Sequence, residues 1–141
     1  YLGYYIKWHP QDVYYYSVEN SNFMPNDHRT EGSFSKYSSL DDKIDWLHYH
    51  TTTIKFGIGR ATYDSAQEIR NGDITREEGV ALIKRFDGEF PQQYIQDCCN
   101  YMDITMQQYH DAIEKFRSPH LWHKVNSNWE LKNPIWSRVN V

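Results

Sequence analysis

Residues 54–78 read IKFGIGRATYDSAQEIRNGDITREE, and the rest of the chain is organised around them. Lys55-Phe56-Gly57-Ile58-Gly59-Arg60 sets two cations around two glycines. Residues 61–70 are rich in helix formers, and Asn71-Gly72 stops that helix. Thr75 then opens another helix as N-cap, with Glu78 three residues on to complete a capping box. Glycine has no Cβ, so the backbone at Gly57 and Gly59 is free to approach a ligand or a neighbouring helix closely. Lys55 and Arg60 beside it suit phosphate or carboxylate, Arg as a bidentate fork and Lys as a point charge. The same residues equally suit plain helix packing with solvated cations, Arg60 pairing along its helix with Asp64. A lone Gly-x-Gly does not choose between the two.

Composition narrows the class. A chain of 141 residues suits one domain with a real core. Mean hydropathy is −0.85, and 16% of residues are aromatic, with 12 Tyr and 5 Trp. Such aromatics serve cores, interfaces and sugar faces alike. A net charge of −4 argues against a nucleic-acid binder, which normally shows a basic surface. No apolar run approaches the ~20 residues needed to cross a bilayer, and no signal peptide is visible. Cys98 and Cys99 are adjacent, so they make neither a disulfide framework nor a spaced zinc site. Buried thiols in a reducing, cytoplasmic setting are expected.

Upstream, residues 1–8 (YLGYYIKW) read as a short strand. Residues 10–19 are ambiguous. Val13-Tyr14-Tyr15-Tyr16 favours strand, whereas Pro10 at a first helical position and Asp12 in the first turn favour helix, which is the expectation. Residues 21–38 form a loop by composition, and residue types alone read it as a mobile linker. Ser39 is expected to cap a helix whose buried stripe is Leu40, Ile44, Leu47, Thr51 and Ile54. Asp41 and Asp42 then fall in its first turn, where the helix dipole favours acids, although magnesium or hydroxyl ligation is the other reading. His48 and His50 sit on different helix faces and make no metal pair.

Downstream, residues 76–86 form a helix with Val80, Ile83 and Phe86 inward and Gly88 as stop. Phe90-Pro91 opens the next, with Tyr94, Ile95, Cys98, Tyr101 and Met102 on its apolar face. Thr105 and Gln108 make a second capping box, followed by Met106, Tyr109, Ala112 or Ile113, and Phe116 at helical spacing. Ile83, Tyr94, Ile95, Tyr109, Ile113 and Phe116 are expected to be buried together. Asp73-Ile74-Thr75 and Asp103-Ile104-Thr105 lie thirty residues apart, which hints at two similar helical hairpins. Ser118-Pro119 ends the last helix. His120 and His123 fit packing or surface roles better than a metal site. Alternation around Asn126-Ser127-Asn128 suggests a small hairpin or an extended tail, Lys132-Asn133-Pro134 turns the chain, and the last five residues are expected to fray.

Several ordered blocks together carry more information than any one of them. Residues 54–78 resemble the C-terminal part of the N-acetyl sugar amidotransferases, the WbpG/PseA type of lipopolysaccharide and nonulosonic-acid biosynthesis. The matching residues are Lys55-Phe56-Gly57-Ile58-Gly59-Arg60-Ala61-Thr62, Ile69-Arg70-Asn71-Gly72 and Ile74-Thr75-Arg76-Glu77-Glu78. The blocks EGSFSKYSSLDDK at residues 31–43 and YLGYYIKW at residues 1–8 are also similar, and the resemblance covers most of the chain, from Tyr1 to about Trp136. It implies an ATP-pyrophosphatase-type parent with a Ser-Gly-Gly-x-Asp-Ser phosphate loop. That loop is absent here and the chain starts at Tyr1, so it reads as a C-terminal piece.

The expected fold is therefore mainly α: the helical C-terminal domain of a larger α/β PP-loop (adenine nucleotide alpha hydrolase-like) enzyme. Residues 1–38 continue from the nucleotide-binding domain, 39–119 are the helical domain, and 120–141 are a tail or small hairpin. In such enzymes ATP activates the sugar N-acetyl oxygen, and ammonia displaces it to give an acetamidino group. The resemblance implies Lys55 and Arg60 as the cations facing departing pyrophosphate. It implies Arg29, Glu31, Tyr37, Asp41, Asp42, Gly57 and Gly59 at the sugar or nucleotide. It further implies ATP and Mg in the parent, none for this piece, a sugar-nucleotide substrate, and glutaminase and ammonia-channelling partners. A helical interaction module and another ATP-pyrophosphatase, such as an asparagine-synthetase-like enzyme, are the alternatives.

Overall fold

Residues 54–78 fold as helix end, turn, helix, turn and helix start, in a computed structural model that describes residues 1–138. Helix α1 spans Pro10–Asn20, α2 Ile44–Phe56, α3 Arg60–Asn71, α4 Arg76–Phe86, α5 Ile95–Tyr101 and α6 Met106–Phe116. A hairpin follows, β1 at Trp122–Val125 and β2 at Asn128–Leu131. Among the described residues this mainly helical chain has six α-helices and one two-stranded sheet. No helix among them is long and apolar enough to cross a membrane.

Local chemistry sets the boundaries. Gly57 closes α2 in the left-handed region, at φ 71°, and returns its N–H to the Thr53 carbonyl. Thr75 with Glu78, and Thr105 with Gln108, form complete capping boxes on α4 and α6, so both Asp-Ile-Thr blocks start helices. Asn126 and Ser127 both have positive φ, which makes the tight two-residue turn that suits the right-handed twist of a hairpin. Pro10 leads α1 as expected for a helix. Of the five residues expected to fray, 139–141 lie outside the described residues.

The core sits between α2, α5 and α6. Leu47, Ile54, Ile95, Cys98, Cys99, Tyr109 and Ile113 pack together there, with Phe90, Tyr94, Ile104 and Met106 against them. Ile83 is buried elsewhere, and Phe116 is 64% exposed, so the expected single stripe is corrected at both positions. Tyr101 and Met102 are exposed too, because α5 ends there and the chain turns away.

Three further expectations differ. Residues 1–8 make a 3-10 turn at Leu2–Tyr4, with Tyr1, Leu2, Tyr4, Tyr5, Ile6 and Trp8 exposed. A strand needs a partner for its N–H and C=O groups, and the described residues offer this segment none. Helix α2 starts at Ile44, not beside Ser39, whose φ is 57°. Asp42 accepts the N–H groups of Ile44 and Asp45, at 2.8 and 3.0 Å, while the Ser39 hydroxyl is taken by Asp45 and Tyr49. Leu40 and Ile44 are exposed, so the α2 stripe narrows to Leu47 and Ile54 among its apolar members. Finally, the 21–38 loop is not a free linker. Thr30, Ser33, Ser35 and Ser38 are buried; Ser33 and Ser38 bond to Asp64 and Arg60 of α3, and Thr30 and Ser35 are bonded within the loop.

One buried histidine gives the core a pH dependence. His50 Nδ1 lies 2.6 Å from the Tyr109 hydroxyl, with Phe90 against the ring. Burial, then the charge of Arg117, pushes its pKa down to about 4 from 6.5. A base whose folded pKa is lowered leaves stability intact above its unfolded pKa and removes it as pH falls toward the folded value. Stability should fall by ~2 kcal/mol between pH 7 and pH 5 on account of His50. Urea unfolding of His50→Gln, compared with wild type at both pH values, should show a slope shallower by that amount; an equal slope would place the titration elsewhere.

Candidate functional site

The turn at residues 57–60 is held from three sides. Asp87, just past α4, accepts the Gly59 N–H at 2.9 Å and the Thr62 N–H at 3.2 Å. Its carboxylate thus occupies the N-terminus of α3, where N–H groups and the helix dipole favour an anion. Burial raises the Asp87 pKa despite these bonds. A Cβ at Gly59 would stand 2.7 Å from Asp87 Oδ1 and nearer still to the Thr53 hydroxyl, so this glycine is required by close approach. Gly59→Ala should cost ~1–3 kcal/mol by overpacking, read as a lowered unfolding midpoint. An unchanged midpoint would show that Asp87 relaxes away freely. The Gly57 and Gly59 amides are both spent inside the protein, and neither points to a ligand in this structure.

Arg60 is the fixed point of the site. Its Nε donates to Asp64 Oδ1 at 2.8 Å, Nη1 to the Tyr49 hydroxyl at 3.3 Å, and Nη2 to the Ser38 hydroxyl at 3.2 Å. Its guanidinium also lies 5.3 Å from the Tyr49 ring centre. Asp64, 13% exposed, is further bound by the Ser33 hydroxyl from the loop. Guanidinium has five N–H donors, so one N–H on each Nη remains for another partner. The Arg60 side chain is 36% exposed and lines a cleft of about 830 Å³ with His48, Tyr63, Gln67 and Arg70. The ion pair with Asp64 that packing predicts is therefore present, and two guanidinium N–H groups are left over beside the cleft.

The other sequence candidates lie elsewhere. Lys55 is exposed on the last turn of α2, against the Phe56 ring, and lines neither cleft beside the turn. Arg29 is clamped bidentately by Glu89, both contacts at 2.6 Å, and stacks over Phe86. Glu89 also accepts the Gly32 N–H, and the Arg29 pairing holds its pKa low against the opposing effect of burial. Glu31 accepts the Gln93 N–H, its pKa raised by burial, and shares with Arg29 a shallow depression containing Lys36. Tyr37 stacks on Tyr14, centroids 4.6 Å apart, and burial pushes its phenol up to about 12, so it stays neutral. Asp41, Asp42 and Asp45 bring carboxylate oxygens within 4.8 Å of one another at the start of α2. These hard oxygen donors suit Mg²⁺, although one oxygen each of Asp42 and Asp45 already serves the protein. His120 pairs with Ser118, and His123 stands opposite Glu130 across the hairpin.

Sequence reading missed Arg70, Gln67 and Tyr63 as cleft residues. Their signal was available: with Arg60 and Asp64 they recur at three- and four-residue spacing along α3, which is one helix face.

The geometry defines a small helical domain with a cation-bearing cleft on the face of α3, whose Arg60 and Asp64 are also bonded by a buried serine-rich loop. In sequence, residues 31–135 match the family described as LPS biosynthesis protein WbpG-like, C-terminal domain, and the chain belongs to that family. No curated protein matches it.

Proposed function

We propose that this chain is the C-terminal part of an ATP-dependent amidotransferase that converts a sugar N-acetyl group to an acetamidino group in LPS O-antigen biosynthesis. Membership of the WbpG-like family carries the reading. The reaction balances as N-acetyl sugar, ammonia and ATP giving acetamidino sugar, AMP and pyrophosphate, with the amide oxygen leaving on AMP. ATP, as co-substrate, supplies the adenylyl group that makes this oxygen a leaving group. Arg60 and Arg70 bias the α3 cleft toward anions, with Asp64 the opposing charge. In the parent, the two remaining Arg60 N–H groups meet the charge of departing pyrophosphate, while Asp64, Tyr49 and Ser38 hold the fork in place. Lys55 is the weaker cation, since it stands outside the cleft. Arg29 and Glu31 act by shaping the loop that carries Ser33 onto Asp64. Asp41 with the free oxygens of Asp42 and Asp45 would hold any Mg²⁺ on this chain, where it would neutralise phosphate charge. The phosphate loop, the glutaminase and the ammonia-channelling partner belong to the parent assembly, in the cytoplasm.

A second reading, a non-catalytic helical interaction module, is favoured by one observation. Tyr4, Tyr5, Trp8, Tyr15 and Tyr16 are exposed near the chain start, and α1 buries no residue. Mass spectrometry separates the two. Parent protein given an N-acetyl sugar nucleotide, ATP and ammonia should yield a product that has exchanged one oxygen for NH. Unchanged sugar under conditions that support ATP turnover would favour the interaction module.

A further inference from the structure

Glu68 is a buried acid that neither the core nor the Arg60 cleft uses. It is 5% exposed, on the last turn of α3. Gly72, at φ 87°, ends that helix. The Asp73 N–H returns to the Glu68 carbonyl at 3.0 Å, and the Gly72 N–H reaches the Ile69 carbonyl at 3.2 Å. This is the left-handed helix ending in which the second residue past the cap folds back onto the last turn. It brings the Asp73 carboxyl into hydrogen-bonding contact with that of Glu68. Both acids stand at the C-terminal end of α3, where the helix dipole disfavours anions. Among the described residues no lysine or arginine pairs with either. Two carboxylates so placed repel when both ionise, and a proton shared between them removes the repulsion. Burial, then the Asp73 carboxyl, raises the Glu68 pKa accordingly.

The same pair is what residues 1–20 hold on to. Helix α1 buries no residue. Gln11 Nε2 donates to Glu68 at 3.2 Å, His9 Nε2 lies 3.2 Å from Asp73, and Tyr14 stacks on Tyr37. His9 Nδ1 accepts the Asp12 N–H at 3.3 Å, so Nε2 carries the ring hydrogen and serves Asp73 without needing a charge. The groups facing the pair are therefore His9 and Gln11 from α1, with exposed Asp12 behind His9, and the Tyr37 phenol, which also faces Asp64.

We propose that the Glu68–Asp73 pair is a proton-gated latch for this arm, holding residues 1–20 on α3 while the carboxyls share a proton and releasing them when both ionise. Ionisation of both drives the carboxylates apart toward water, and the Gln11 and His9 bonds go with them. An acid whose folded pKa is raised contributes docking that is complete below its unfolded pKa and is lost as pH rises through the folded value. Release also takes Tyr14 off Tyr37, the neighbour of the Ser38 that accepts from Arg60, so the latch reaches the Arg60 site through the loop. The inference stands on the acid pair and does not need the amidation reading.

Hydrogen exchange of the α1 amides, corrected for the pH dependence of the intrinsic rate, tests it on the whole chain. An isolated helix of 11 residues is marginal in water, so α1 protection reports its docking. Protection is expected to fall at least ~10-fold between about pH 5 and about pH 8, the effect of roughly one unit of pKa, while that of α6 in the core does not fall. Glu68→Gln keeps the shape and donates to Asp73 at every pH, so it should hold α1 at its acid-side protection throughout. Asp73→Asn should do the same, and it decides the matter if circular dichroism shows Glu68→Gln unfolded. Equal α1 protection at both pH values in the wild type, a fall that α6 shares, or a fall kept in full by the folded variants would each overturn the latch.

Discussion

Ile113→Ala is expected to lower the unfolding free energy by ~2–5 kcal/mol, with the native fold retained. Ile113 is 8% exposed on α6 and packs with Leu47 and Ile54 of α2 and Ile95, Cys98 and Cys99 of α5. Those neighbours come from two other helices, so none can move into the space without disturbing another pair. The cost therefore includes a cavity as well as lost transfer free energy. Domains of this size carry only ~5–15 kcal/mol in total, so the loss should appear as a large drop in the denaturant midpoint. Phe116→Ala, one turn on but 64% exposed, should change the midpoint little. An unchanged midpoint in Ile113→Ala would mean that the α2, α5 and α6 interface is not the core.

Arg60→Lys in the parent protein is expected to reduce turnover ~10²–10³-fold, the range for removing one pre-organised charge-stabilising donor. Lysine keeps the charge but cannot bond Asp64, Tyr49 and Ser38 while presenting two further N–H groups. If Arg60 meets charge that develops as pyrophosphate departs, kcat falls and KM holds. If it binds nucleotide or sugar nucleotide equally in ground and transition states, KM rises instead. The stability change should stay near ~1 kcal/mol, because the Asp64 pair is a helical (i, i+4) pair on a one-third exposed side chain. Tyr49→Phe, which removes one acceptor from Arg60 and adds nothing to the cleft's charge, should give a smaller turnover loss. Wild-type kinetics in Arg60→Lys would remove it from the site.

Where the sequence was legible, the signal was local. Both Thr capping boxes, the Gly72 stop and the tight hairpin turn depend on residues within four positions of each other, and each is found where its residues predict. The misreadings have a common physical source in contacts made at long range. Residues 1–8 have strand-forming side chains but no partner strand among the described residues. The 29–38 loop looks like a linker because its serines are polar. Its burial follows from Asp64, Arg60 and Glu89, which lie 22 to 57 residues on from the loop groups they bond. The candidate site behaved likewise. Arg60 stands out from its neighbours in sequence as a candidate, whereas its acceptors Tyr49 and Ser38 come from elements that no periodicity connects to α3. Asp87 as the anion at the start of α3 had no sequence signal, because an N-cap is normally sought immediately before the helix.

Pyrophosphate release, measured side by side on the parent protein and on this chain alone, tests the proposed division of labour most directly. The parent should release pyrophosphate in step with AMP and acetamidino sugar, and only when N-acetyl sugar nucleotide and ammonia are both supplied. The chain alone, which carries the Arg60 cleft but no Ser-Gly-Gly-x-Asp-Ser loop, should release none. ATP-dependent pyrophosphate release by the pure chain, or release by the parent that is indifferent to the sugar, would contradict it.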